Sequence, residues 1–404
     1  MGADRVLIVG VSTRALALSA REAGYECVSV DAFGDLDQKE RVENVALVRD
    51  LGRAWSAATA VAVGRRFEVE GAAYVGNLEN HPAAVRRLTR GRTLLGNSPE
   101  TLLRVRDFGE LARVVRACGG RVPLTLGPDE APYRPRGRRW LRKPRRGGGG
   151  SGVHALPLGE GCLGKGRALR PDELVQERIE GTLASVSFVA DGRRAVFLGL
   201  AQGLAGDPAF GASGYRYCGS LHPFRAEARL LERLDDVAQA TTKAFGLVGA
   251  NGIDFVVRDG EAFVLEVNPR PSASMELLER AGRGSVFEAH VAACRGRLPS
   301  PPTLEPGPDG VLGKAVVWAR RESVMGDTRG WLRRDEVRDI PFPGERIRAG
   351  HPLCTVFARG ADEPACYREL VAAAAAVERE IAAAGAGRAV EAVAIPRTDA
   401  RAGV

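Results

Sequence analysis

Between Asn251 and Leu277 the chain reads NGIDFVVRDGEAFVLEVNPRPSASMEL, the stretch that most limits what it can fold into. Two apolar runs, Ile253–Val257 and Ala262–Asn268, flank Asp259-Gly260, a dipeptide suited to a two-residue hairpin because both positions tolerate positive φ. Alternation along the second strand places Val264, Glu266 and Asn268 on one face. A carboxylate in a strand of Ala, Phe, Val and Leu is costly unless a cation meets it. Asp254, on the neighbouring strand, can face the same side. Two carboxylates and an amide oxygen beside Arg270 form a hard, oxygen-rich set suited to Mg²⁺. The competing reading is a hairpin with one solvated polar face.

With 404 residues the chain is long enough for two or three domains with their own cores. No apolar run approaches the roughly 20 residues of a membrane span, and no signal-peptide pattern opens the chain, so a cytoplasmic location without a membrane partner is expected. The seven cysteines are scattered and never form a C-x-x-C pair, which argues for reduced thiols and against a zinc site. A net charge of +8 raises the question of nucleic acid. Only five of the 58 basic residues are lysine, however, and they are spread along the chain; no nucleic-acid partner is expected. The densest basic cluster, Arg134 to Arg146, runs into a glycine loop and reads as a small-anion site.

Arg5–Val9, the turn Gly10–Thr13, a helix over 14–23 and a strand over 27–31 form a Rossmann-like opening. It holds one glycine where a dinucleotide fingerprint needs three, so a structural α/β unit is expected there. Ser98-Pro99 starts a helix expected to continue to about Cys118. A strand then ends in Lys143, followed by Arg145 to Gly152, a loop nearly free of side chains whose N–H groups can approach phosphate oxygens. A plain flexible linker is the alternative. Residues 299–310 are rich in proline and form a linker, and Glu363 to Ala384 reads as an Ala-rich helix.

The hairpin with Asp-x11-Glu-x-Asn-Pro-Arg, preceded by the Lys143 loop, resembles the ATP-grasp superfamily. The resemblance implies an α/β ATP-grasp fold: a Rossmann-like pre-domain (1–97), an ATP-grasp domain (98–298), the linker (299–310) and a small C-terminal α+β subdomain (311–404). It implies ATP and Mg²⁺ as cofactors, with Asp254, Glu266 and Asn268 as metal ligands. Arg270 would face the transferred phosphoryl group, and Lys143 the α/β-phosphates. Gly148, Gly149, Gly150 and Ser151 would form a mobile flap, and Gln176, Glu177, Arg178, Ile179 and Glu180 a hinge that reads adenine. The phosphate-binding lysine usual near the start of the first helix is replaced by Arg104 or Arg106. The implied activity joins a small-molecule carboxylate, activated as an acyl phosphate, to an amine, in an assembly compatible with a homodimer. The pattern NPRPSASMELLE is most similar to tyramine–glutamate ligase-like proteins of methanofuran-type cofactor biosynthesis. A bicarbonate-using carboxylase or carbamoyl-phosphate-type enzyme and a non-catalytic ATP sensor are the alternatives.

Overall fold

The computed structural model describes residues 4–131, 135, 137–157, 169–301 and 310–393, with side chains of the last helix described to 384. Most of the expected linker, together with Arg134, Cys162 and the last residues, lies outside the described residues.

Five short strands begin the chain: β1 (Arg5–Val9), β2 (Glu26–Asp31), β3 (Glu43–Ala46), β4 (Gly71–Tyr74) and β5 (Thr93–Leu95). They form a parallel sheet in the order β3-β2-β1-β4-β5. Alternation along β1 serves two cores. Leu7 and Val9 pack with Val28, Val30 and the helix Ala57–Gly64, whereas Val6 and Ile8 pack against the helices Arg14–Glu22 and Val286–Cys294. β3 has no clear sequence signal, being a four-residue strand that opens with Glu and Asn.

The expected single helix over 99–118 is two helices, Pro99–Val105 and Phe108–Ala117. Asp107 causes the break: its carboxylate accepts the Glu110 N–H at 2.9 Å and caps the second helix. Arg106 is left at the corner between them.

A small sheet follows, from β6 (Thr125–Leu126), β7 (Trp140–Pro144), β8 (His154–Ala155) and β9 (Glu173–Glu177), in the order β6-β9-β7-β8. The central sheet is built from β10 (Thr182–Asp191), β11 (Ala195–Ala205), β12 (Tyr217–His222), β13 (Val248–Arg258) and β14 (Glu261–Asn268). The helix Ala228–Phe245 covers it through Leu230, Leu234 and Val237. The segment expected to form a separate C-terminal subdomain continues this sheet. After β15 (Val311–Trp318) come β16 (Ser323–Val324), β17 (Val337–Arg338), β18 (Arg346–Ile347) and β19 (Pro352–Gly360). β15 pairs with β12, giving eight strands in the order β14-β13-β10-β11-β12-β15-β19-β17, while β16 and β18 pair separately. Among the described residues, no helix is long and apolar enough to cross a membrane.

Buried ions and an imidazole fasten the parallel sheet to the central one. Arg14 Nη2 donates to Glu276 Oε2 at 3.1 Å and Arg14 Nε to Asp339 Oδ1 at 2.8 Å, and Lys314 Nζ reaches Glu276 Oε2 at 2.7 Å. Burial alone would push the Glu276 pKa up; the Arg14 and Lys314 charges outweigh it and hold the carboxyl well below its usual range. His290 accepts the Ala250 N–H at 2.8 Å and donates through Nε2 to Leu95 O at 3.1 Å.

Candidate active site

β13 and β14 meet at a turn in which Asp259 and Gly260 both have positive φ, 52° and 73°, as the hairpin requires. Their register sets Asp254 opposite Glu266. Simple alternation fails one step later, because the pairing shifts between Asp254 and Phe255 and Leu265 is left as a bulge. Val264 therefore does not share a face with Glu266. It packs in the helix-backed core with Phe255 and Ala262, while Leu265 joins Ile179, Val256 and Phe263 on the other side. The bulge keeps Glu266 out of the apolar core.

Beyond the strand, the Asn-Pro-Arg turn is held from the N-terminal side. Asn97 donates to Pro269 O at 3.0 Å and to Asn251 Oδ1 at 2.8 Å, and the Tyr74 hydroxyl donates to Pro269 O at 3.2 Å. The turn directs Arg270 inward, where Nε donates to Glu79 Oε1 at 2.9 Å and Nη2 to Asn268 Oδ1 at 3.3 Å. Asn268 Nδ2 donates to Asp254 Oδ2 at 2.8 Å. From the helix corner, Arg106 donates through Nη1 to Glu266 Oε2 at 3.1 Å and through Nη2 to Glu79 Oε1 at 3.4 Å.

A ring of six polar residues results, closed by the Asp254–Glu266 cross-strand pair. Arg106 is at this site. Arg104 is not: it pairs with Glu110 at 3.1 Å and lies over the Phe245 ring. The sequence reading missed Glu79, which has 1% of its side chain exposed and sits in the turn Leu78–Asn80 after β4. An acidic residue just beyond the carboxyl end of a parallel strand was the available signal.

The electrostatics of the two facing carboxyls differ. Burial, reinforced by Glu266, raises the Asp254 pKa to about 7. Burial also acts to raise Glu266, but Arg106, Lys143 and Arg270 outweigh it and hold it below the usual value. Lys143, the last residue but one of β7, lies over the Phe108 ring, 5.0 Å from its centre, with Gln176 Oε1 at 3.4 Å. Burial lowers its pKa, with Glu266 and Asp254 acting in opposition.

Two carboxylates in register with a deficit of positive charge on Asp254 fit a hard cation whose other ligands are phosphate oxygens and water. Among the described residues, no group of three or more His, Cys, Asp or Glu could hold a metal ion by itself. Asn268 turns its amide oxygen to Arg270 and its nitrogen to Asp254, so serving as an oxygen ligand would require the amide to turn over.

The glycine loop docks at Gly147 and at Gly149–Gly150. Gly147 O accepts from Asn80 Nδ2 at 3.3 Å, and Gly149 O accepts the Tyr217 N–H at 3.0 Å. A Cβ on Gly150 would lie 1.7 Å from Tyr215 O, and its φ is +72°, so only glycine fits this approach. Gly148 has open space around it and Ser151 is exposed.

In the expected hinge, Gln176 is buried and donates to Thr125 Oγ1 at 3.0 Å. Glu177 and Arg178 have their backbone N–H groups bonded to Leu124 O and Arg139 O. Ile179 packs against Val256 and Phe263. Glu180 lies outside this group: its side chain is 60% exposed and pairs with Arg139 at 2.7 Å. The basic cluster contributes Arg138 to a groove of about 410 Å³, lined also by Arg116, Arg121 and Arg258. Three of these arginines already pair with carboxylates: Arg138 with Glu177, Arg121 with Glu261 and Arg258 with Asp259.

Residues 110–274 match the family model described as an ATP-grasp domain. An uncharacterized protein of Methanocaldococcus jannaschii is 24% identical over 143 residues, which is 35% of this chain and 34% of that protein. The carbamoyl phosphate synthase large chain of Deinococcus radiodurans is 31% identical over 113 residues, 28% of this chain and 11% of its own. The chain thus matches about a third or less of the length of these relatives. The biotin carboxylase domain of Hydrogenobacter thermophilus 2-oxoglutarate carboxylase superposes with a TM-score of 0.70 at 15% identity, over 91% of this chain and 89% of that one. The chain has the ATP-grasp fold, with residues 110–274 matching the domain that gives the fold its name.

Proposed function

We propose that this protein is an ATP- and Mg²⁺-dependent ligase that activates a carboxylate as an acyl phosphate and joins it to an amine. The observation that carries this reading is the ring at the Asp254–Glu266 hairpin, where Arg270, Arg106 and Lys143 surround two partly buried carboxyls. Magnesium bound there would neutralise phosphate charge and polarise the transferred group. Asp254 and Glu266 would hold it. Lys143 would meet the phosphates from the end of β7, and Arg270, fixed by Glu79 and Asn268, would stabilise charge developing on the transferred group. Gly147–Gly152 would exclude water by lying over the phosphates. A base read through the backbone of 176–180 would use positions after Arg178, because the two preceding N–H groups are bonded within the protein.

For the substrates, we propose glutamate and an amine, as in the tyramine–glutamate ligase-like branch of methanofuran-type cofactor biosynthesis, with the protein acting as a cytoplasmic homodimer. A second reading, bicarbonate use, is favoured by a similar solved structure, a carboxylase domain described in complex with MgADP and bicarbonate. ADP release from Mg-ATP separates the two. Release that requires an acid–amine pair supports the ligase. Release stimulated by bicarbonate without an amine supports the second reading. Nucleotide binding without ADP release under any pairing would leave a sensor.

A further inference from the structure

Two buried atoms of the ring have no hydrogen-bond partner: Glu79 Oε2 and Arg106 Nε. They belong to side chains already in contact through the Arg106 Nη2–Glu79 Oε1 bond at 3.4 Å. Both side chains are buried, Glu79 1% and Arg106 11% exposed. An unpaired atom of a buried carboxylate and an unpaired guanidinium N–H each cost desolvation free energy. This arrangement therefore leaves their mutual bonding incomplete. The reason lies on the other side of the guanidinium, where Nη1 is committed to Glu266 at 3.1 Å. Arg106 is stretched between two carboxylates and fully pairs with neither.

We propose that Glu79 is a positioning residue of the metal site, the alternative partner that lets Arg106 leave Glu266 when a cation arrives. This rests on the reading of Glu266 as a metal ligand. While Glu266 is free of metal, Arg106 supplies its positive charge. Once Glu266 is engaged by a cation, the Arg106 N–H loses its acceptor, and a guanidinium beside a bound cation is repelled. Glu79 then offers both oxygens. Turning the guanidinium sets Nε and one Nη against Oε2 and Oε1, a side-on bidentate pair that satisfies both unpartnered atoms. The exchange breaks the Nη1–Glu266 bond, keeps the Nη–Oε1 bond and forms one new bond between Nε and Oε2, with no proton moved. Arg270 Nε already holds Glu79 Oε1 at 2.9 Å, so the carboxylate is anchored while Arg106 moves. Asn80, the next residue in the same turn, donates to Gly147 O at 3.3 Å. The turn that receives Arg106 therefore also touches the glycine loop.

The probe is Mn²⁺, measured by the paramagnetic resonance of the free ion in the presence of saturating ADP, so that no turnover is needed. Glu79→Gln keeps the shape of the side chain but offers one acceptor oxygen, and should weaken Mn²⁺ binding by about 10-fold to 100-fold, the range for residues that orient metal ligands. In an Arg106→Ala background the same substitution should cause no further loss, because the cation it accommodates is absent. Equal losses in both backgrounds, or none in either, would overturn the proposal. If Glu79→Gln does not fold, Glu79→Asp serves in its place; it keeps the charge, shortens the reach, and should give the same dependence on Arg106. Glu266→Gln separates this proposal from the metal assignment beneath it. If that variant binds Mn²⁺ as the unsubstituted protein does, the assignment itself fails, whatever Glu79 does.

Discussion

At the scale of single residues, Asp254 and Glu266 face each other yet differ in what their charge does to the fold. Asp254 is raised to about 7 by burial and by Glu266, so its ionisation in the empty site opposes folding. That opposition is absent below the ordinary carboxyl pKa and grows as pH rises to about 7. Glu266 is held low by Arg106, Lys143 and Arg270, so its ionised form supports folding. The two neutral substitutions should therefore move stability in opposite directions. At pH 8 without ligand, Asp254→Asn should hold or raise the melting temperature. Glu266→Gln should lower unfolding free energy by about 1.5–3 kcal/mol, the range for a hydrogen bond to a charged group. Thermal melts decide it, and parallel shifts would mean that the carboxyls are not distinguished by the arginines. The sequence pairs two carboxylates with Arg270 across the hairpin. The resemblance adds Arg104 or Arg106 without choosing between them, and Glu79, which arrives from another part of the chain, is not shown by the sequence.

Among the elements, the glycine loop carries the sharpest constraint. Alanine at Gly150 would place its Cβ against Tyr215 O at 1.7 Å, in a left-handed conformation that alone costs a side chain about 1 kcal/mol or more. Gly150→Ala should release the loop from the 215–217 segment and speed limited proteolysis within 147–152. Gly148→Ala, with nothing within 4 Å, should leave the cleavage rate near that of the unsubstituted protein. Equal rates for all three would mean that the docking is not maintained in solution.

This loop was visible as a run of glycines after a strand, whereas its docking partner was not. The helix corner at Arg106 was legible in part, since Asp107 and Glu110 stand at capping-box spacing. The leucine and valine pattern on either side nevertheless reads as one continuous helix. The bulge at Leu265 left no mark in the sequence. Alternation predicts a side for each strand residue, and an extra residue changes the sides without changing the composition.

Across the whole molecule, the parallel sheet supplies Glu79 and the central sheet supplies the hairpin, so the site depends on how the two are joined. His290 is one of the joints. Burial lowers its pKa to about 4 from 6.5, so the neutral ring is the form that fits. Its contribution is present above pH 6.5 and is lost as pH falls towards 4, by about 3 kcal/mol at most. Protonation would place an N–H on Nδ1, facing the Ala250 N–H it now accepts from. Denaturant unfolding at pH 7 and pH 4.5 should show this loss, and His290→Asn should reduce the difference between the two. If the variant keeps the full difference, acid sensitivity arises elsewhere.

The order of segments, with a parallel sheet first and the Asp254–Glu266 hairpin late, was legible from the apolar runs and their turns. The continuation of the central sheet into β15 and β19 was not, because strand pairing across a proline-rich stretch leaves no local pattern.

The central claim is that the hairpin and Lys143 form one Mg-nucleotide site. Calorimetric titration of ATP, with and without Mg²⁺, into the unsubstituted protein and into Lys143→Ala and Asp254→Asn/Glu266→Gln tests it most directly. The account predicts Mg²⁺-dependent binding, weakened by about 1.5–3 kcal/mol in Lys143→Ala, with the dependence on Mg²⁺ abolished in the double variant. ATP affinity that is the same in all three folded proteins, and indifferent to Mg²⁺, would contradict it.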